Sequence, residues 1–374
     1  MTLNRNRTFI LTASVLFLLA FARSFRPLSD WMYTHWLFNY ELEFVKRGAV
    51  GELFRSLNIE VTYELVTVLS YLLLALLLAL FAFLVMRVFK ASKDTEGLRW
   101  FVLLLLFSSA AFQHYNYDLG RFDVILLLVA LSLVLISEKS KGWFFWLVVI
   151  ALLSLTIFIH EGAFFIILPF VLSYVIYLHR SRFALYMSIV SFVLITLLTY
   201  HVSTKGEMTV NGFDDHFEYM KSQHGERVSK LSLSVLHKTS LSEQLNFVKI
   251  KLEWKLLEKY IVMFVFLSPL LLLLYRVFRD YGWSNLDYYD WLVILSTMSP
   301  LALSFLGTDF FRWWALFLTL LMAFILLKAK HNIEFRIVLN QVFLVNKKPV
   351  YIALFFGALA GPLGTTGPFP ISPF

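Results

Sequence analysis

Residues 143–178 read WFFWLVVIALLSLTIFI-HEG-AFFIILPFVLSYVIYL. A hydrocarbon core about 30 Å thick is crossed by roughly 20 apolar residues, so this run is far too long for one passage. Its one polar interruption, His160-Glu161-Gly162, divides it into two spans, 143–159 and 162–178. Working outward with the same rule predicts nine more: 8–25, 62–86, 100–114, 122–137, 183–200, 260–275, 291–307, 312–327 and 349–360. Composition agrees. Of 374 residues, 59% are apolar and 18% aromatic, and only 16% are charged, against about 25% charged in soluble domains. So little polar surface cannot cover so large an apolar one in water. The expectation is an all-α polytopic transmembrane helix bundle of about 11 spans, one integral membrane domain over 1–374. That excludes a soluble enzyme, a DNA-binding protein and a disordered chain. With no Cys there are no disulfides, thiolate metal sites or cysteine nucleophiles.

Lys and Arg set the orientation, since cytoplasmic loops carry their excess. With the N-terminus inside, inner segments hold seventeen basic residues and the short outer segments seven, the long loop 201–259 being left out. The net charge of +8 therefore reads as topology rather than as a nucleic-acid surface. Eleven spans put the C-terminus outside. Arg5, Arg7 and Ala20-Phe21-Ala22 around the first span also resemble a cleavable signal peptide; cleavage leaves the rest of the topology unchanged.

Two outer segments are long. The first, 26–61, is aromatic-rich. The second, 201–259, ends in a stretch where Leu245, Val248, Leu252 and Leu256 recur at helical spacing among lysines, predicting an amphipathic interfacial helix over 241–259. Beyond residue 360, GPLGTTGPFPISPF carries too many Pro and Gly for a helix.

Inside the spans, ionisable residues occur only at the edges, which argues against an ion-coupled transporter. Polar clusters gather instead on the expected outer face. They are Glu41, Glu43, Lys46 and Arg47 in the first loop; His114 to Asp123 with Asp118 and Arg121; His160-Glu161; and Asp309 to Arg312. Three acids precede a base by three residues (Glu43/Lys46, Asp118/Arg121, Asp309/Arg312), a spacing that pairs them on one helix face. The plain reading is helix capping and local pairing in solvated turns. Convergence of all four on one face favours a shared site.

These residue types suit phosphate chemistry. Arg binds phosphate or pyrophosphate through bidentate charge-assisted bonds, and a carboxylate or His beside it can take a proton from an attacking hydroxyl. Phosphate contacts fall to Arg47, Arg121, Arg312 and Lys46, and the base to Glu161, His160, Glu41, Glu43 or Asp118. Asp123 and Asp309 orient the arginines. At Glu161, burial would raise the pKa toward the working range, and a nearby Arg would lower it again.

The pattern Phe44-x-Lys46-Arg47-Gly48-x-x-Gly51, with Asp118-Leu119-Gly120-Arg121-Phe122-Asp123, His160-Glu161 and Asp309-x-x-Arg312-Trp313, resembles the polytopic membrane proteins of bacterial surface-polysaccharide clusters, O-antigen and capsule polymerases among them. The plan is also similar to GT-C-type glycosyltransferases, whose paired first-loop acids are matched loosely by Glu41 and Glu43. The resemblance implies transfer from a polyprenyl-phosphate-linked saccharide on the outer face of a bacterial inner membrane. It implies no cofactor, leaves a divalent metal open, and names the lipid bilayer and other polysaccharide-assembly proteins as partners, with no nucleic acid. A lipid-linked saccharide flippase and a non-catalytic subunit of an assembly complex are the alternatives.

Overall fold

The turn that divides residues 143–178 ends a helix in the computed structural model, which describes residues 2–210, 212–237, 248, 250, 254–365 and 367–370, with side chains from Phe9 onward. In chain order the helices are α1 Thr2–Ser24, α2 Asp30–Leu37, α3 Ala49–Ser56, α4 Tyr63–Lys90, α5 Glu96–Phe107, α6 Phe112–Tyr117, α7 Asp123–Ser137, α8 Trp143–Ile159, α9 Ala163–Ile166, α10 Leu168–His179, α11 Arg182–Lys205, α12 Phe213–His224, α13 Lys230–Leu233, α14 Trp254–Tyr281, α15 Tyr288–Thr297, α16 Phe310–His331, α17 Ile333–Val345 and α18 Lys347–Ala360. No strand occurs among the described residues, so the all-α expectation holds.

The eleven-span count does not hold. By length and apolar composition four described helices can cross a membrane: α4, α11, α14 and α16. A fifth follows if α17 and α18, bent by 81° at Asn346, are one broken span. The expected span 100–114 stops at Phe107, and the 12 residues of α5 reach only about 18 Å. The break is tolerated because protein satisfies the backbone: the Gln113 amide donates to the Phe107 carbonyl at 2.7 Å and to the Gly357 carbonyl at 2.6 Å. The expected span 291–307 is cut at Pro300, where the ten-residue α15 gives way to a 3₁₀ segment, Ser299–Phe305. Residues 162–178 form two helices, α10 restarting with Pro169 in its first turn. The basic-residue count loses its odd number of crossings with the span total. What remains plain is a helical membrane protein. Large apolar side chains on α4, α8, α11 and α14, such as Leu72, Phe144, Leu197 and Val265, are exposed, as lipid-facing groups are.

The chain, expected as one membrane domain, has its internal contacts in two compact units. The first comprises residues 1–26, 78–118 and 247–374. Its central helix is α16, whose apolar window is 89% buried, so this helix faces protein rather than lipid. At one end of α16, Lys328 Nζ donates to Asp290 Oδ1 at 2.5 Å, both side chains 3% exposed. Asp290 is also half of the capping box that starts α15. Arg336 Nη1 donates to the Ala329 and Lys330 carbonyls, satisfying the last turn of α16. The irregular tail packs in this unit, with Leu363 fully buried.

The second unit comprises residues 27–77 and 119–246. It holds α7 to α11, the start of α4, and a cap built from both expected outer loops. The first loop contains α2 and α3. The second begins only at Gly206, because α11 runs on to Lys205, and contains α12 and α13. Of the expected interfacial helix 241–259, only Val248, Ile250 and residues from Trp254 on are described, the last as the start of α14; the rest lies outside the described residues. The cap has its own core of Met32, Trp36, Phe122, Met208, Met220 and Leu233. Polar groups lock it: Trp36 Nε1 donates to the Gly120 carbonyl at 2.8 Å, and the Ser229 amide to Thr34 Oγ1 at 2.8 Å. Gly120 has φ +89°, and a Cβ there would lie 2.4 Å from Leu28 Cδ1, so only glycine fits this turn.

Candidate functional site

Three polar segments of the second unit meet at one ion pair. Helix α8 ends when His160 turns extended, and the Gly162 amide then donates to His160 Nδ1 at 2.9 Å. A Cβ at Gly162 would lie 2.8 Å from that ring, so the glycine lets the imidazole fold back. With Nδ1 accepting, neutral His160 carries its proton on Nε2. This turn presents Glu161 to Arg47. Arg47 Nε donates to Oε2 at 2.9 Å and Nη2 to Oε1 at 2.6 Å, a two-pronged pair. Arg47 holds φ +64°, a left-handed backbone that a bulky residue rarely adopts. Such strain persists where the surroundings over-determine it, and it clusters at functional positions.

His35, on α2, completes the cluster. Arg47 Nη1 lies 3.4 Å from its Nε2, and Ser232 Oγ 3.5 Å from its Nδ1. Burial first, then the positive charges of Arg47 and Arg121, hold His35 well below its usual pKa, so it is a neutral acceptor at pH 7. At Glu161 burial pushes the pKa up, but Arg47, His160 and Lys46 outweigh it and hold the carboxyl well below the usual range. The rise that would suit a base is therefore not found; Glu161 is the charged counter-ion of Arg47. Arg47 and Arg121 thus both act on His35, and Arg47 and Lys46 on Glu161, which gathers three basic side chains around this turn.

The remaining expected residues divide between the units. Lys46 is buried, and its backbone amide donates to the Gly206 carbonyl, tying the first loop to the second. Glu43 and Lys46 do not share a helix turn, because residues 40–43 form a bend. Glu43 accepts instead from the Val210 amide at 3.0 Å, from Thr209 Oγ1 at 2.8 Å and from the Thr209 amide. Burial raises its pKa, but these bonds and His237 bring it below the usual value. Glu41 is exposed, beside Tyr219, whose hydroxyl bonds to it. Asp123 is buried in the first turn of α7, where the helix dipole favours an acid. Asp118, the last residue of its segment of the first unit, is the buried C-cap residue of α6, and residues 118–120 are a turn rather than the helix the 118/121 spacing suggested. Asp309 and Arg312 do pair as spaced, at 2.9 Å, with the guanidinium 4.5 Å from the Trp313 ring centroid.

Sequence reasoning missed His35 and Ser232. Nothing local marks them: His35 sits in an aromatic helix, DWMYTHWL, and Ser232 lies 197 residues away. No group of three His, Asp or Glu with metal-holding geometry occurs among the described residues.

One more pair in the cap is expected to respond to pH. His216 Nδ1 lies 2.9 Å from His237 Nε2, so one ring must be neutral to accept. Burial and the neighbouring His237 push His216 down to about 4, and burial also lowers His237. A depressed folded pKa means stability that is full above the unfolded value of about 6.5 and lost as pH falls toward about 4. Hydrogen-exchange protection factors in residues 206–237, corrected for the intrinsic pH dependence of amide exchange, are therefore expected to fall between pH 7.5 and 5, and His216→Asn to flatten that dependence. An unchanged protection factor across this range would refute the coupling.

No family model matches the chain, and no curated protein or solved structure shows significant similarity to it.

Proposed function

We propose that this membrane protein transfers a saccharide from a polyprenyl-(pyro)phosphate carrier at the extracytoplasmic face of a bacterial inner membrane, as a glycosyltransferase or polysaccharide polymerase. The observation that carries the reading is the gathering of Arg47, Lys46 and Arg121 around neutral His35 under the folded cap, with Arg47 anchored by Glu161. A cationic, partly desolvated pocket beside lipid-facing helices suits a lipid phosphate. The helix ends away from the cap carry Lys139, Lys141, Arg180 and Arg182, which favours a cytoplasmic side there and the cap outside.

In this assignment Arg47, Arg121 and Lys46 hold the phosphate. Glu161 is a positioning residue that fixes the Arg47 fork, and His160 shapes its turn. Glu41, open to solvent and bonded by Tyr219, is the base. It takes the proton of an acceptor hydroxyl as that oxygen bonds the anomeric carbon, while the bond from that carbon to phosphate breaks and its electron pair leaves with the phosphate.

The test uses purified protein in nanodiscs with a polyprenyl phosphate as probe. Arg121→Lys keeps the charge but loses the fork, and is expected to weaken binding about tenfold. Glu41→Gln should bind the probe as the parent does, yet lower transfer in cells by a factor of about 100 or more. Failure of the parent protein to bind the probe would overturn the reading. So would full assembly activity in both variants, which would leave Arg47–Glu161 as a structural pair in a non-catalytic subunit.

A further inference from the structure

The cap contains a cleft that none of the preceding chemistry uses except at its mouth. It lies between the first loop and residues 208–236, with a volume of about 350 Å³. That falls within the range of small-molecule pockets, about 300–1,000 Å³. Its floor is apolar, with Phe38, Val45, Met208 and Leu236. Its rim is polar, with Asn39, Glu41, Glu60, Tyr219, Gln223 and His224.

We propose that this cleft seats the glycan itself, as a stretch of uncharged, hydroxyl-rich sugar, apart from the phosphate pocket around Arg47. The inference deepens the function proposed above and rests on it only for the source of the glycan. A sugar ring has an apolar C–H face and an edge of hydroxyls, each both donor and acceptor. The cleft mirrors both surfaces. Its floor covers the ring face, and the Gln223 amide supplies a donor and an acceptor together, while Asn39, already bonded to the Leu37 carbonyl and the Glu41 amide, adds its second N–H. The Glu41 and Glu60 carboxylates accept from hydroxyls, the former held in place by Tyr219.

Charge decides against an anion. Arg55, the basic residue of the lining, is paired with Glu52 at 2.7 Å. Burial lowers the pKa of His216 and His224, in the latter against the opposing charges of Glu60 and Glu41, so both rings are neutral at pH 7. The lining therefore presents Glu41 and Glu60 as net negative charge. It repels phosphate and sugar acids, whereas the Arg47 pocket attracts them. One substrate with a neutral glycan and an anionic carrier phosphate satisfies both.

The experiment presents purified protein in nanodiscs to an array of uncharged oligosaccharides and matching ones containing uronic acids, with polyprenyl phosphate binding measured in parallel. Uncharged glycans should bind and uronate-containing ones should not. Gln223→Trp fills the cleft from an exposed helix position and should reduce glycan binding at least tenfold with phosphate-probe binding unchanged. Glu60→Arg, also exposed, should admit the uronate-containing glycans. If no uncharged glycan binds, or binding ignores Gln223→Trp, the cleft assignment is overturned, and retained probe binding leaves the proposed function standing. If glycans bind and respond to Gln223→Trp but the phosphate probe does not bind, the cleft assignment stands and the lipid-carrier reading falls.

Discussion

Lys328→Met is expected to cost about 3–5 kcal/mol of stability, the usual penalty for removing one partner of a buried ion pair. Methionine keeps the length and much of the stem packing, so the loss reports on charge rather than on a cavity. The ammonium lies 5.2 Å from the Tyr281 ring centroid and 5.4 Å from that of Phe335, and it neutralises Asp290 at a position with almost no solvent. Without it, the Asp290 carboxylate stays in that site lacking its cation. Asn at 290 can still accept the Asp287 amide, which Asp290 Oδ2 binds at 3.1 Å. The double variant Asp290→Asn/Lys328→Met should therefore recover most of the loss. Denaturant unfolding of the purified protein in detergent measures both. A single-variant loss below about 1 kcal/mol, the value of an exposed pair, would contradict the burial seen here.

Arg47→Ala is expected to have the largest effect on function. It removes the cation at the centre of the proposed phosphate pocket, so polyprenyl phosphate affinity should fall tenfold or more and polysaccharide assembly should cease. Stability should fall by about 2 kcal/mol, less than at Lys328, because Arg47 and Glu161 are 16% and 20% exposed. Glu161→Gln separates the two roles. It releases the fork that Glu161 holds, so probe binding should persist while assembly falls through loss of positioning. Arg47→Met/Glu161→Met should restore stability without restoring binding. If that double variant assembled polysaccharide at the parental rate, the ion pair would be structural only.

Residue pairing shows how far local patterns reach. Asp309 and Arg312 are three apart at a helix start, and they bond as the spacing suggests. Glu43 and Lys46 have the same spacing and do not share a helix turn. Their segment bends, and the Thr209–Val210 backbone, 166 residues on, offers Glu43 unpaired amides. Spacing predicts a pair only where the backbone is helical, and the neighbours that make it so lie elsewhere in the chain.

From the sequence alone, the hydropathy of 143–178 and its polar interruption determined a helical membrane protein with a tight turn at His160-Glu161-Gly162, because burial in lipid and satisfaction of backbone hydrogen bonds within a segment are local requirements. Arg47 and Glu161 were legible as charged residues of polar turns. Their union across 114 positions, the recruitment of His35, and which of the two opposing effects on the Glu161 pKa prevails were decided by the tertiary structure, since ion pairing and desolvation depend on distance in space. The number of long helices was decided there too. An apolar run continues as a helix only while nothing better satisfies its backbone, and at Phe107 the side chain of Gln113 does so.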